Sequence, residues 1–181
     1  MTAQVTIPPR FNGPPNSGNG GYSCGLLALQ INGPARVRLH HPPPLDTPLV
    51  LKRQGDGGVE MFDGTQLVGT AEPLPLELEV PPAPTLAQAE KARKGFPCYE
   101  KHVFGTCFVC GPSRPAHDGL ELFPGPVTDW QLIACPWTVG EDMADAAGAI
   151  RGEIVWSALD CPGYFAAMGG ESKHAVLGEL H

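Results

Sequence analysis

Apolar residues concentrate in two stretches of the chain, and the rest of the pattern falls into short alternating runs around them. The longer stretch, 152–168, reads GEIVWSALDCPGYFAAM and carries a carboxylate, Asp160, in its middle. As a helix it places Asp160 on one stripe with Trp156, Ser157, Gly163 and Tyr164. Ionised carboxylates are rarely buried without a partner, because desolvation disfavours the charge. An Asp among Val155, Trp156, Leu159 and Phe165 therefore either lines a pocket or marks the solvent edge of an amphipathic helix. Pro162 removes a hydrogen bond and meets the Ala158 carbonyl, which predicts a kink or a helix end near Asp160. The second apolar stretch follows a Gly, Pro, Asn and Ser loop over 12–21. Ser17 or Asn19 can cap a helix over about 20–32, which Gly33-Pro34 would stop.

Between the two helices the period changes. Residues 36–41 (RVRLHH) alternate basic and apolar side chains, 49–54 partly alternate, and 59–62 and 66–71 flank Asp63-Gly64. Short runs separated by turn residues predict an antiparallel meander, with a further short strand over 3–8. Residues 74–84 alternate but hold too many prolines for a central strand, so they read as an edge strand running into a linker, with a helical turn near 86–94. From Phe96 the texture is cysteine-rich. Strands are expected over 119–123 and 130–139, an acidic, alanine-rich stretch covers 141–149, and the second helix follows. The fold class is α+β, with units over 1–80 and 96–181 joined by a Pro-rich linker at 81–95.

Composition narrows the function classes. A chain of 181 residues with 42% hydrophobic residues buries a substantial core, and Gly 23 with Pro 21 predicts many turns. The net charge of -7 forms no basic stripe along which a phosphate backbone would lie, so nucleic acid is not expected as a partner. The first residues show neither a basic n-region nor an apolar core of secretory type, and no run approaches the length of a membrane span. Six cysteines without an export signal read as reduced thiols or ligands, and the expected location is the cytoplasm.

Aligning the two helices on their glycines puts Gly20 and Gly21 over Gly152 and Glu153, Leu27 over Leu159, and Ala28 opposite Asp160. An apolar helix with a small-residue start, set in an antiparallel sheet, resembles the hotdog fold of acyl-CoA thioesterases and dehydratases. There the helix often opens with His-Gly-Gly, and in one thioesterase class it carries a catalytic carboxylate seven residues past the second glycine, the place Asp160 holds relative to Glu153. Cys107-Phe108-Val109-Cys110-Gly111-Pro112, followed by Asp118-Gly119-Leu120, is similar to the CFxCGxxNPxGL signature of the PaaI-like group, with a longer insert replacing Asn-Pro. The resemblance implies a tandem, double-hotdog arrangement, a sheet wrapped around a central helix in each unit, with the second unit lacking its C-terminal strands. Either the natural protein extends further or another chain, as in a homodimer, completes the sheet.

Thioester hydrolysis needs donors for a developing oxyanion and a carboxylate that attacks or activates water. A helix N-terminus supplies the donors, and glycines let substrate approach the backbone. In the resembled class the two parts come from different units. The resemblance therefore implies one site made of the Gly20 and Gly21 amides, Asn19 and Asp160, and a second, inactive one where Ala28 replaces the carboxylate. Asn12, Trp156 and Tyr164 are the expected substrate-binding residues. Asn19 in place of His fits a thioesterase and not a dehydratase. The implied substrate is an acyl-CoA or related thioester, with no cofactor.

Two other functions remain open on sequence. A non-catalytic acyl or small-ligand binding protein would keep the fold without the chemistry. The spacing Cys98, His102, Cys107, Cys110 offers four ligand types for tetrahedral zinc in an interaction module, set against a reading as packed thiols, which the resemblance favours. Ser23, Ser157 and Cys161 are set aside as nucleophiles, because no G-x-S-x-G elbow or paired His accompanies them.

Overall fold

The alternating runs of the first half pair as an antiparallel sheet. The computed structural model describes residues 3–171 and 173–181. Strands β1 (Ala3–Val5), β2 (Ala35–Leu39), β3 (Leu49–Arg53), β4 (Val59–Asp63) and β5 (Gln66–Pro73) lie close to their expected positions, and β4 and β5 form a hairpin that turns at Gly64. The spatial order is β1-β3-β4-β5-β2-β8, where β8 (Glu179–Leu180) comes from the far end of the described chain. Period-2 patterning sets the faces. Val37, Leu49, Leu51, Val59, Met61, Val68 and Ala71 point inward, whereas Arg36 pairs with Glu72 across β2 and β5 on the outer face.

Helix α1 (Gly20–Ala28) lies on the inner face of this sheet. Leu27 is fully buried there, and Gly69 of β5 gives it room, since a Cβ at that glycine would stand 2.9 Å from Leu27 Cδ1. The helix is shorter than expected. Gln30 and Ile31 donate to Leu27 and Ala28, tightening the chain into turns before Gly33 is reached.

The second half departs from its expected strands. Residues 119–123 form no strand, although Leu120 and Leu122 donate to the carbonyls of Phe108 and Val109. Glu121, at φ 52, breaks the extended backbone between them. Of 130–139, only β7 (Ile133–Ala134) pairs, with β6 (Gly125–Pro126). Residues 74–84 carry no strand either, because the pairing of β5 with β2 stops at Pro73. Helix α2 (Leu86–Arg93) starts at a capping box between Thr85 and Gln88. Helix α3 (Gly152–Met168) continues past Pro162, so of the expected kink or end near Asp160 the end does not occur.

The core is continuous between the halves. Phe11 stacks on Tyr22 at 4.1 Å, and Phe108 meets both rings edge-on. Arg114 ties the loop before α1 to the cysteine-rich segment by donating to the Arg10 carbonyl, Asn12 Oδ1 and the Thr106 carbonyl. The main junction is α1 against α3, running antiparallel. Gly21 sits at Trp156, Ser157 and Asp160, Gly25 at Glu153, and Leu29 at Gly152. A Cβ at Gly21 would lie 2.5 Å from the Trp156 carbonyl oxygen, and one at Gly25 would lie 2.5 Å from Glu153 Cα. Two glycines one turn apart therefore set how close the helices come. No helix among the described residues is long and apolar enough to cross a membrane.

Candidate active site

The loop before α1 is folded so that its last residue enters the helix with a polar side chain pointing inward. Asn12 and Gly18 form an isolated antiparallel bridge, and Asn19 donates its backbone N–H to the Phe11 carbonyl. Asn19 is 2% exposed and uses both ends of its amide. Its Oδ1 accepts from Tyr22 N–H at 2.9 Å, capping the helix, and its Nδ2 donates to Asp160 Oδ2 at 3.0 Å. Asp would cap equally well but offers no donor to a carboxylate, and Ser would have to serve both partners from a single, shorter hydroxyl.

Asp160 reaches this point from α3. Its Oδ2 also accepts from Gly21 N–H at 2.9 Å, so one carboxylate oxygen takes two hydrogen bonds from the start of the other helix. Among the described residues Oδ1 accepts none, and Gly20 N–H finds no acceptor. Burial pushes the Asp160 pKa up to about 6, against the Gly21 hydrogen bond, which lowers it; the charge at Cys107 raises it further. A carboxyl poised near neutrality suits proton transfer or attack.

A cavity of about 610 Å³ opens over this corner, lined by Asn19, Gly20, His41, Asp160, Tyr164 and Leu177 among others. Its walls are mostly apolar. Residues 173–180 pass along its edge, with Leu177 against Gly20 and Tyr164 Oη donating to the Lys173 carbonyl.

The expected residues divide. Asn19, Gly20, Gly21 and Asp160 are brought together, and Tyr164 shares the cavity. Asn12 is not among its lining residues: its side chain donates to Gly13, Pro14 and Thr106 and accepts from Arg114, which makes it a loop brace. Trp156 is spent on the helix contact beside Gly25. The Gly21 amide, expected to face substrate, is taken by Asp160, which leaves Gly20 as the available donor. Ser23 and Ser157 each donate to the carbonyl one turn back and are not poised as nucleophiles.

The cysteine set is also revised. The sulfurs of Cys107, Cys110 and Cys161 lie within 4.8 Å of one another, and Cys98 is not part of the cluster. The cluster borders the Asn19–Asp160 corner, with Cys107 Sγ 3.9 Å from Asn19 Nδ2. Hydrogen bonds from Cys110 and Cys161 hold the Cys107 thiol well below its ordinary pKa. Spacing along the sequence pointed to Cys98 because it is near in the chain, whereas Cys161 arrives on α3 beside Asp160.

Comparison of the chain with protein-family models, with curated proteins and with solved structures finds no match.

An Asn19→Ser variant tests the double use of that side chain. The Ser hydroxyl keeps the cap but ends one bond short of the place of Asn19 Nδ2, so the hydrogen bond to Asp160 is weakened, the carboxylate is less stabilised and its pKa rises further. The expected result is an unfolding midpoint within a few degrees of wild type and an acid limb of any Asp160-dependent rate displaced to higher pH. Unchanged titration of Asp160, followed by NMR, would remove Asn19 from the site.

Proposed function

We propose that the protein hydrolyses an acyl-CoA or related thioester where the start of α1 meets Asp160. The observation that carries this reading is the seating of Asp160 Oδ2 on Gly21 N–H and Asn19 Nδ2 at the edge of the cavity. Two helices from different halves supply the two parts, as the double-hotdog arrangement requires. The antiparallel helix pair, with Gly20 against Asp160 at one end and Gly152 against Leu29 at the other, supports reading 1–80 and 96–181 as related units joined by 81–95. Six free thiols suit a reducing, cytoplasmic setting.

In this mechanism the thioester carbonyl oxygen takes Gly20 N–H, helped by the positive end of α1. Asp160 Oδ1 either attacks the carbonyl carbon or removes a proton from the attacking water. The C–S bond then breaks and the thiolate departs and takes a proton. Where water attacked, the acid is released directly; where Asp160 attacked, a second step in which water hydrolyses the acyl–aspartyl anhydride releases the acid and restores the carboxylate. One working site per chain is expected, because Ala28 stands where the other end would need a carboxylate.

A second reading, a non-catalytic acyl or small-ligand binding protein, draws on the same contact. Asp160 occupies the Gly21 amide itself and so serves as a helix cap between the halves. A thiol-release assay over a panel of acyl-CoA esters separates the two. Turnover that rises through about pH 6, as Asp160 ionises, supports hydrolysis. Ligand binding without thiol release on every ester would replace it with the binding reading.

A further inference from the structure

The three cysteines beside the carboxylate have a geometry that the hydrolytic reading does not use. Cys107 Sγ and Cys161 Sγ are 3.7 Å apart. A disulfide needs about 2.05 Å. Two thiolates on one tetrahedral zinc, each bonded at about 2.3 Å, stand about 3.8 Å apart. Cys110 Sγ completes a triangle in which every sulfur lies within 4.8 Å of the others.

The turn carrying two of the three is built to present sulfur. The C-x2-C segment closes on itself, with Gly111 N–H donating to the Cys107 carbonyl at 2.9 Å, which brings the Cys107 and Cys110 sulfurs to one side. Gly111 closes the turn, where a Cβ would meet Cys107 N and the Gly105 carbonyl oxygen at 2.5 Å. Cys107 and Cys110 are each 3% exposed, and all three cysteines line the cavity, which gives an ion a way in.

His102 defines the surround. Its Nδ1 accepts from Phe104 N–H at 2.9 Å, which places the ring proton on Nε2, and Nε2 lies 3.2 Å from Cys110 Sγ. In that tautomer His102 donates to the sulfur and has no lone pair for a metal.

We infer that Cys107, Cys110 and Cys161 bind a zinc ion as three thiolates, with His102 donating to Cys110 from outside the coordination shell and the fourth position facing the cavity. Binding displaces the thiol protons to solvent, and no oxidant or reductant takes part. The ion fastens the α3 turn that carries Asp160 to the Cys107 turn and the loop before α1, and so positions the carboxylate. The inference stands apart from thioester hydrolysis, since a zinc site would be present whether or not the cavity turns over an ester.

The test uses the full-length chain, purified under reducing conditions without chelator. Metal analysis is expected to find about one zinc per chain, and cobalt(II) added to metal-free protein is expected to give the near-ultraviolet band of thiolate-to-cobalt charge transfer. Cys110→Ser and Cys161→Ser should lose both signals, and Cys98→Ser should keep them. His102→Gln should keep one ion per chain and bind it about 10- to 100-fold more weakly, as loss of an outer partner does. Folded, reduced wild-type protein that holds no zinc and gives no cobalt band overturns the inference, and that arm holds even if a cysteine variant does not fold. Metal retained by Cys161→Ser but lost from Cys98→Ser also overturns it, as does a Cys107–Cys161 disulfide in the reduced preparation.

Discussion

Asp160→Asn is expected to abolish thioester hydrolysis and, at neutral pH, to make the protein more stable. Both hydrogen bonds that Asp160 receives go to one oxygen, Oδ2, so the amide oxygen of an Asn can accept both without moving α3. What is lost is the charge. In the unfolded chain the carboxyl titrates near 3.8, and burial raises it to about 6 in the fold. The folded state therefore holds its proton more tightly. As pH rises from about 4 to 6 the unfolded chain releases its proton first, and stability falls by up to about 3 kcal/mol before levelling off. An Asn has no such loss. The gain of the variant over wild type should be largest at pH 7 and vanish below pH 4, reduced by the burial of an amide N–H2 with few acceptors. Chemical denaturation across pH 3.5–8 measures it, beside a thiol-release assay. Wild-type turnover in the variant would sink the hydrolytic assignment, and an identical pH dependence of stability would show that Asp160 is not the buried acid described.

Gly25→Ala is expected to produce a large loss of stability. Helix propensity alone favours the change by about 1 kcal/mol. The added Cβ, however, would lie 2.5 Å from Glu153 Cα and 3.0 Å from Glu153 Cβ and Trp156 Cβ, and the first of these is backbone that cannot swing away. Either α3 is displaced or the core opens, at roughly 3 kcal/mol or more, so the clash outweighs the propensity. Because Gly25 touches neither Asp160 nor the cavity lining, a fall in turnover would report the shift of α3. Gly152→Ala is the contrast. Its Cβ would meet only the exposed, flexible end of Leu29, at 2.7 Å from Cδ2, and it should unfold within about 0.5 kcal/mol of wild type. Equal midpoints for Gly25→Ala and wild type would mean that the helices do not meet as described.

Local chemistry was the readable part of the chain. The strands around Asp63-Gly64 and the start of α1 at Asn19 follow from patterning and capping, which depend on neighbours in sequence, whereas the continuation of α3 past Pro162 does not. The strands expected over 119–123 and 130–139 do not form. Their alternation is real, but Glu121 takes a positive φ and the Leu residues spend their amides on the Phe108 and Val109 carbonyls instead of a ladder. Its sequence position makes Gly21 an opening for substrate, yet its amide is held by Asp160. The G-x3-G spacing with Gly25 held a different message, a close helix contact, which patterning within one helix does not disclose because the partner lies in the other half. The spacing of Cys98, His102, Cys107 and Cys110 differs from the observed sulfur cluster for the same reason. Cys98 is near Cys107 in sequence, but only the packing of α3 on α1 brings Cys161 there.

The first amides of a helix normally exchange their hydrogens with solvent almost freely, since nothing within the helix accepts from them. In α1 the second amide is held by a carboxylate from another helix, while its neighbour Gly20 N–H is not. Exchange at Gly21 thus reads the docking of the two halves directly, and the contrast between two adjacent protons serves as a gauge of how often α3 lifts away. A bound carbonyl at Gly20 would slow the first proton without touching the second, so the same pair separates occupancy of the cavity from opening of the fold.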